Sequence, residues 1–161
     1  MAKGMAAMDR GTHHRVGRLA AALVLASVLA ATLPGAHAAT SAHERRAMKR
    51  ATNLSRLDHS LTRVRLNADL SALARQHSLA MARTGTLFHE SDPASVYLKG
   101  KTWQYWGENV GMTGGTVSGL EQAFMASTPH RENILNRSFR HVAIGAVRVD
   151  GVLWVTVFFW G

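Results

Sequence analysis

The chain has 161 residues, with 19 lysines and arginines against 10 aspartates and glutamates, and it contains no cysteine. This length fits one ordinary domain and a short additional segment. The absence of cysteine excludes a fold held together by disulfides, which is common among small exported domains. The formal net charge of +9 marks a basic protein. Because the sequence has no recognised nucleic-acid-binding motif and no basic run interleaved with aromatic residues, we expect no nucleic-acid partner.

Residues 1–38 have the three-part pattern of a secretory signal peptide. A basic lead runs into an apolar stretch over 19–33, and the small residues of "AHA" follow, ending at Ala38. The apolar stretch is shorter than the ~20 residues that a membrane-spanning helix needs. We therefore predict cleavage after Ala38 and secretion to the periplasm, the cell wall or the medium.

The mature chain that this cleavage leaves has two predicted parts. Residues 39–52 hold a linker over 39–43 and the start of a basic helix that runs from about Glu44 to Leu61, and residues 53–161 form the folded domain. The basic side chains of this helix either form a solvated face or contact anionic polymers and lipid headgroups of the cell envelope. The candidates for such a contact are Arg45, Arg46, Lys49 and Arg50.

A second helix is predicted after Leu66, where apolar residues recur at helical spacing. Asn67 or Asp69 is expected to cap this helix, and Gly85 is expected to end it. His77 falls on the apolar stripe, and a buried histidine needs hydrogen-bond partners. We therefore predict a structural role for His77.

Residues 85–115 are rich in glycine and aromatic side chains and keep no regular period, which predicts a long packed connection. A further helix is predicted from about Thr116, because Val117, Leu120 and Phe124 then share one face.

A short helix is predicted over "PHRENIL", with Thr128 as its N-cap and Pro129 as its first residue. This assignment puts His130 at the second helical position. The positive end of the helix dipole disfavours a protonated imidazole there. The neutral ring is the form that ligates a metal or acts as a base.

The C-terminal residues form two β-rich runs on either side of Asp150-Gly151, a strong signal for a two-residue hairpin. Most positions in both runs are apolar, so both faces of the hairpin are expected to be covered. The order of elements predicts an α+β domain in which helices pack over a small antiparallel sheet.

Two more side chains could carry chemistry. Glu108 lies in the aromatic stretch "YWGENVG", where a carboxylate must be paired with donors or have a raised pKa. A role in bracing the turn through loop amides explains Glu108 equally well. His89 follows the apolar pair Leu87-Phe88 just after the main helix.

The order of these motifs is similar to that of a known family. The stretches are "LNADLSALARQHSLAMARTGTLFH", "GENV", "STPHRENILN" and "IGAV", followed by an aromatic final strand. Over roughly residues 53–161 they resemble the bacterial branch of the CAP superfamily. Its members are also called SCP-like extracellular proteins and are related to cysteine-rich secretory and plant pathogenesis-related proteins.

The resemblance implies a three-layer α-β-α sandwich with a surface cleft, described by two histidines and two acidic residues. Residue by residue, the histidines fall on His89 and His130, which in many members can hold a divalent cation, often zinc. One acidic residue falls on Glu108, and the other falls near Ser127, so this second carboxylate is missing here. Glu108 and Ser127 are then cleft residues beside the cation, and Asn109 of the G-E-N motif has a structural role.

Three functions compete on these grounds. The preferred one is a secreted, non-enzymatic binding protein whose cleft holds a weakly bound divalent cation, such as Zn²⁺, and takes a lipid, sterol-like or glycan ligand. The second is an envelope interaction protein with an inert cleft. The third is a metal-assisted hydrolase or peptidase with Glu108 as base. Against the third stands the absence of a third firm protein ligand, since catalytic zinc sites normally have three.

Overall fold

The computed structural model describes residues 34–161, with side chains described from Ser41 onward. Helix α1 spans Pro34–Asp58 and so begins within the predicted signal peptide, whose first 33 residues lie outside the described part. Among the residues that are described, no helix is both long and apolar enough to cross a bilayer. Cleavage after Ala38 stays a prediction.

The linker predicted over 39–43 is wrong, because these residues belong to α1. Long-range packing accounts for the difference. Ser41 is buried, and the carboxylate of Glu44 accepts hydrogen bonds from the guanidinium of Arg148, with 3.0 Å between Glu44 Oε1 and Arg148 Nη2. These contacts hold the early turns of α1 on the sheet, which a local reading of small polar residues does not reveal.

The end of α1 is fixed by a turn and by a buried arginine. The helix stops at Asp58 rather than at the predicted Leu61, since Ser60 adopts a left-handed φ of 58°. Arg56, one turn before, is fully buried. Its guanidinium donates to four backbone carbonyls, those of Thr62, Ile134, Asn136 and Phe139.

The four basic residues predicted to share a surface lie on two faces of α1. Arg46, Lys49 and Arg50 line one groove. Arg45 instead lies beside Arg75 and the sheet, in a separate cavity. Arg45 and Arg46 are about 100° apart around the helix axis, so they point into neighbouring cavities rather than into one.

The second predicted helix is confirmed as α2, Ala68–Thr84. The side chain of Asn67 caps it by accepting from the backbone N–H of Leu70 at 2.9 Å. Gly85 ends it with a φ of 65°, a left-handed conformation that glycine adopts without steric cost.

The connection over 85–115 is more ordered than its composition predicts. It contains a short helix α3, Pro93–Tyr97, and an eight-residue strand β2, Trp106–Thr113. The central residues of β2 are buried on both faces, so the strand shows no alternation of polar and apolar residues. Its order comes from pairing with a strand more than forty residues later, which no local pattern records.

Helices α4, Val117–Ala126, and α5, Thr128–Ile134, confirm the two helices predicted in this region. Thr116 caps α4 by accepting from the backbone N–H of Gly119. In α5 the prediction is wrong by one position, because Ser127 is the N-cap. His130 is therefore the third helical residue rather than the second.

The predicted hairpin is confirmed as β3, His141–Val149, and β4, Val152–Trp160. Asp150 and Gly151 both have positive φ, 48° and 78°, as the favoured two-residue turn requires. Strand β2 extends the hairpin antiparallel to β4, and a two-residue strand β1, Arg65–Leu66, adds parallel to β3. The strand order β1-β3-β4-β2 leaves β2 at one edge of the sheet.

The helices cover both faces of this sheet and so form the predicted three-layer sandwich. One face carries Val142, Ile144, Val155 and Val157 against α1, α4 and α5. The other face carries Ala143, Val147, Trp154 and Phe158 against α2 and α3. At Gly145 the helix α2 comes so close that a Cβ atom would lie 2.1 Å from the carbonyl oxygen of Ala74.

Candidate functional site

The edge strand β2 presents side chains to both helical layers in alternation. Val110 packs with Met81 of α2 on one side, and Glu108 points the same way. On the other side, a Cβ atom at Gly111 would lie 2.8 Å from the ring of Phe124 in α4. A site at this edge can therefore combine groups from the α2 layer and from the α4/α5 layer.

Glu108 is the buried carboxylate of the site, with a side chain only 2% exposed. Its Oε1 atom accepts a hydrogen bond from Nδ1 of His89 at 2.9 Å and another from the backbone N–H of Glu90 at 3.1 Å. Because an ionised carboxylate only accepts, Nδ1 of His89 carries the proton and Nε2 is left free. Glu108 thus fixes both the tautomer and the orientation of a ring whose side chain is 61% exposed.

His77 lies directly behind Glu108, in the interior. Its Nδ1 atom is 3.3 Å from Oγ1 of Thr156 and 3.6 Å from Oε2 of Glu108. The longer of these separations is an electrostatic contact rather than a hydrogen bond. Phe88 packs edge-on against the ring, with 5.1 Å between the centroids. The burial of His77 agrees with the structural role predicted for this residue. That role stays a prediction.

The balance of burial and contacts sets the charge of Glu108. Burial alone would raise the pKa of this carboxyl, but the contacts with His77, with His89 and with the backbone N–H of Glu90 lower the pKa below its ordinary value. Glu108 is therefore an anion at neutral pH. Its Oε2 atom is buried and has no hydrogen-bond partner among the described residues.

His130 lies on the other side of β2, at the start of α5. Its Nδ1 atom is 2.9 Å from the hydroxyl oxygen of Ser127, and its ring packs on Phe124 with 5.0 Å between centroids. Ser127 is the N-cap by position, yet its side chain makes no capping hydrogen bond. Burial and the nearby His89 lower the pKa of His130, which keeps the ring neutral at pH 7.

Two asparagines join β2 to α5. Asn109 donates through Nδ2 to the backbone carbonyl of His130 at 3.0 Å. Its Oδ1 atom accepts from Nδ2 of Asn133 at 2.9 Å, and the same Asn133 amide lies 3.2 Å from the backbone carbonyl of Glu108. The sequence analysis missed Asn133, for which the only signal is an asparagine near the end of a short helix, where its helix propensity is poor.

The donor set suits a weakly held cation better than a firmly held one. Both imidazoles are held through Nδ1. Nε2 of His89 is therefore free to ligate a metal, and Nε2 of His130 is free in the tautomer in which Nδ1 donates to Ser127. Glu108 has one oxygen engaged with His89, so it acts on that ring rather than as an open ligand. No group of three or more histidine, aspartate or glutamate side chains is arranged to hold a metal within the described part of the chain.

Exposed aromatic side chains lie close in sequence to His89 and Glu108. Phe88 directly precedes His89 and is 40% exposed, and Trp106, two residues before Glu108, is 42% exposed. Tyr105 is 55% exposed. The N–H groups of Gln104 and Tyr105 both donate to the carbonyl of Gly161, so the segment that carries Tyr105 and Trp106 is anchored to the end of the sheet.

The family is shown by comparison with known sequences. A family model described as the cysteine-rich secretory protein family, CAP, matches residues 49–158. The chain belongs to the CAP family. The CAP domain is 30% identical over 132 residues to the uncharacterized protein YkwD of Bacillus subtilis, a match that covers 79% of this chain. The chain spans about half, 51%, of the length of that curated relative.

Solved structures share the fold of this CAP domain at low sequence identity. An extracellular protein with an SCP domain from Bacillus anthracis aligns with a TM-score of 0.68 at 22% identity, over 80% of this chain and 44% of that chain. An outer surface protein from Borrelia burgdorferi aligns with a TM-score of 0.65 at 15% identity, over 73% of this chain and 92% of that one. A cysteine-rich secretory protein from Staphylococcus aureus aligns at 0.61 and 20% identity, over 74% and 38% of the two chains.

The CAP fold brings together the residues that the sequence analysis carried over, on the two sides of β2. His89 is hydrogen-bonded to Glu108, and His130 is hydrogen-bonded to Ser127. Ser127 stands where the resemblance led us to expect a second carboxylate. A serine hydroxyl holds the ring in place but adds no negative charge, and because it can donate or accept it does not fix the tautomer as a carboxylate would. This edge, made by His89, Glu108, Ser127 and His130, is called the β2-edge site below.

Proposed function

We propose that this CAP domain is an extracellular binding protein whose β2-edge site takes a divalent cation, such as Zn²⁺, through Nε2 of His89 and Nε2 of His130. The observation that carries the proposal is the matched support of the two rings. Each ring is held through Nδ1 by one side chain, His89 by Glu108 of β2 and His130 by Ser127 at the start of α5. Imidazole nitrogen suits zinc, nickel and copper.

Glu108 and Ser127 act through the rings they hold. The buried anion of Glu108 holds His89 in the tautomer that carries its proton on Nδ1, and the hydroxyl of Ser127 keeps His130 in one orientation. A bound cation would supply a positive contact for an oxygen atom of a ligand. Because two protein ligands make a weaker site than three or four, the ion is expected to exchange readily.

The ligand class follows from the side chains beside the site. Tyr105 and Trp106 offer exposed aromatic faces on a segment anchored at Gly161, and Phe88 offers another on the loop after α2. Aromatic faces of this kind suit ligands with apolar or ring-shaped surfaces, as found in a lipid, a sterol-like molecule or a sugar. We propose a ligand of this type, with one oxygen directed to the cation.

Two other functions remain as outcomes to be tested. A metal-assisted hydrolase would use Glu108 as base, but this carboxylate is buried and already bonded to His89 and to the backbone of Glu90. An interaction protein with an inert β2-edge site would bind no cation. We place both behind the binding function.

Export is proposed together with this function. The proteins from Bacillus anthracis and Borrelia burgdorferi described above are named as extracellular and as an outer surface protein, respectively. Cleavage after Ala38 would leave residues 39–58 of α1 attached to the domain. The intact mass of protein recovered from the medium or periplasm should place the N-terminus at Ala39, whereas a full-length mass in the membrane fraction would overturn this proposal.

Calorimetric titration with Zn²⁺ tests the binding function. The parent should bind about one ion, and His89→Ala and His130→Ala should each lose at least about tenfold in affinity, since each removes one of two ligands. His43→Ala is the matched control, because His43 is an exposed histidine of α1. Parent-like zinc binding by both site variants would remove the cation from the proposal and favour the interaction protein.

A further inference from the structure

A second surface on the domain, away from the β2-edge site, combines positive charge with exposed leucine. It is a groove of about 420 Å³ along the outer face of α1, closed at one end by the loop that follows the helix. Its lining residues are Arg46, Lys49, Arg50, Asn53, Leu54, Leu57 and Arg63. The name α1 groove is used for this surface.

The charge of the α1 groove has one sign. Four of its seven lining residues are lysine or arginine, and none is acidic. The two acidic residues of α1 do not line it: Glu44 is paired with Arg148 of β3, and Asp58 lies beyond the groove at the end of the helix. The occupant that this surface favours is therefore an anion.

The apolar part of the groove is exposed to an unusual degree for leucine. Leu54 is 53% exposed and Leu57 is 38% exposed, and their spacing of three residues puts them side by side on the helix. Arg50 and Arg46 continue the same stripe, four and eight residues before Leu54. Positively charged and apolar side chains are thus available along one line of about three helical turns.

The scaffold under the groove is rigid. Asn53 is buried and exchanges two hydrogen bonds with the backbone of Val64, at 2.8 and 3.2 Å. Arg56 donates to the carbonyl of Thr62 at 2.8 Å. These contacts hold the loop against α1, so Arg63 is kept at the mouth of the groove whether or not anything is bound.

We propose that the α1 groove docks the protein on a membrane surface that contains anionic phospholipid. Arg46, Lys49, Arg50 and Arg63 contact headgroup phosphates, while Leu54 and Leu57 enter the boundary between headgroups and acyl chains. Basic side chains beside a helix's exposed apolar residues are the general pattern of interfacial membrane binding. The leucines favour a membrane over a soluble polyanion, because an ionic polymer gains nothing from apolar contacts.

Vesicle co-sedimentation tests the docking surface. The protein used is the exported form, which we propose begins at Ala39. The probes are vesicles of phosphatidylcholine alone, vesicles of phosphatidylcholine with phosphatidylglycerol, and soluble polyphosphate as competitor. The parent should bind only the anionic vesicles, and more weakly as salt is raised. Arg46→Gln with Arg50→Gln should weaken this binding by about fivefold for each charge removed, and Leu54→Ser by roughly threefold or more.

Matched controls distinguish binding through the α1 groove from non-specific electrostatic and apolar binding elsewhere on the surface. Lys99→Gln with Lys101→Gln removes the same number of exposed charges elsewhere, and Val96→Ser removes an exposed apolar side chain from α3. Both controls should bind like the parent, and all variants should melt like it, because the substituted residues are exposed. The proposal is overturned if the parent ignores anionic vesicles, if the controls fall as far as the groove variants, or if Leu54→Ser binds normally while polyphosphate displaces the protein.

Discussion

Nδ1 of His89 lies 2.9 Å from Oε1 of Glu108, so an exposed ring on the loop after α2 is bonded to a buried carboxylate of the edge strand β2. The same oxygen accepts from the backbone N–H of Glu90, which fixes the loop as well as the ring. Oε1 of Glu108 therefore makes two contacts: it orients the ring of His89, and it holds the loop after α2 against the sheet.

Glu108→Gln removes the buried charge and keeps the acceptor. The glutamine Oε1 can still accept from His89 and from the backbone of Glu90, but an NH₂ group then replaces Oε2 where the buried anion contacts His77. We expect a loss of about 1–3 kcal/mol in the free energy of unfolding, the cost of an unsatisfied buried polar group. Zinc affinity should fall less than in His89→Ala, because the ring that ligates remains. Chemical denaturation and calorimetry measure the two effects, and unchanged stability would mean that the buried charge of Glu108 and its contact with His77 do not stabilise the fold.

Asn133 is expected to matter for stability although it is not a ligand. Asn133→Ala leaves Oδ1 of Asn109 and the carbonyl of Glu108 without their partner. The free energy of unfolding should fall by about 1–3 kcal/mol. Gln122→Ala, an exposed amide on α4, is the matched control and should stay within about 0.5 kcal/mol of the parent. Equal denaturation midpoints for the two variants would show that the asparagine bridge is not formed in solution.

The close approach of α2 to the sheet can be tested at Gly145. A Cβ atom there would lie 2.1 Å from the carbonyl oxygen of Ala74, and backbone cannot move aside as a flexible side chain can. Gly145→Ala should cost at least about 3 kcal/mol or prevent folding. Gly114→Ala, where a Cβ atom meets nothing within 4 Å, should fold normally. Thermal melts of both variants decide, and a parent-like melt of Gly145→Ala would contradict this packing.

Glu121 should make stability depend on pH. It is buried on α4, and it accepts hydrogen bonds from Ser55 and Thr52 of α1. Burial raises the pKa of Glu121 above its ordinary value of 4.5, although these two hydrogen bonds oppose the shift. The folded state therefore holds this proton at a higher pH than the unfolded state does, and stability is lost as pH rises through the interval between the two pKa values.

The variant Glu121→Gln removes this titration and keeps the hydrogen-bonding shape. Its stability relative to the parent should increase as pH is raised from about 4 toward 7, since only the parent then buries an anion. Denaturant unfolding at several pH values gives the difference curve. A flat curve would show that Glu121 has the same pKa in the folded and unfolded chains.

The elements that the sequence predicts well are those with local signals. Asn67 and Gly85 bound α2 as expected, and Asp150-Gly151 forms the turn expected of it. Strand β2 was missed because its order depends on pairing with β4, and its glycines at 107 and 111 serve close packing rather than a turn. The linker prediction for residues 39–43 is wrong because the burial of Ser41 and the pairing of Glu44 with Arg148 have no counterpart in local composition.

In the β2-edge site too, residues with a sequence signal were predicted, and contacts between distant elements were not. The resemblance to the CAP family picked out His89, Glu108 and His130 before any geometry, and the fold brings them to one edge. Position by position, the sequence does not reveal that Ser127 holds His130 or that Asn133 bridges to β2, because both contacts cross between elements. Neither does it separate Arg45 from Arg46 until the buried face of α1 is known.

The central claim is that His89 and His130 share one cation, and X-ray absorption spectroscopy of the zinc-loaded protein tests it most directly. We expect a zinc ion with two imidazole ligands and water oxygen in the remaining positions. The imidazole contribution should drop to one ring in His89→Ala and in His130→Ala. A parent spectrum with no imidazole, or one that neither substitution changes, would show that the two histidines do not share a cation.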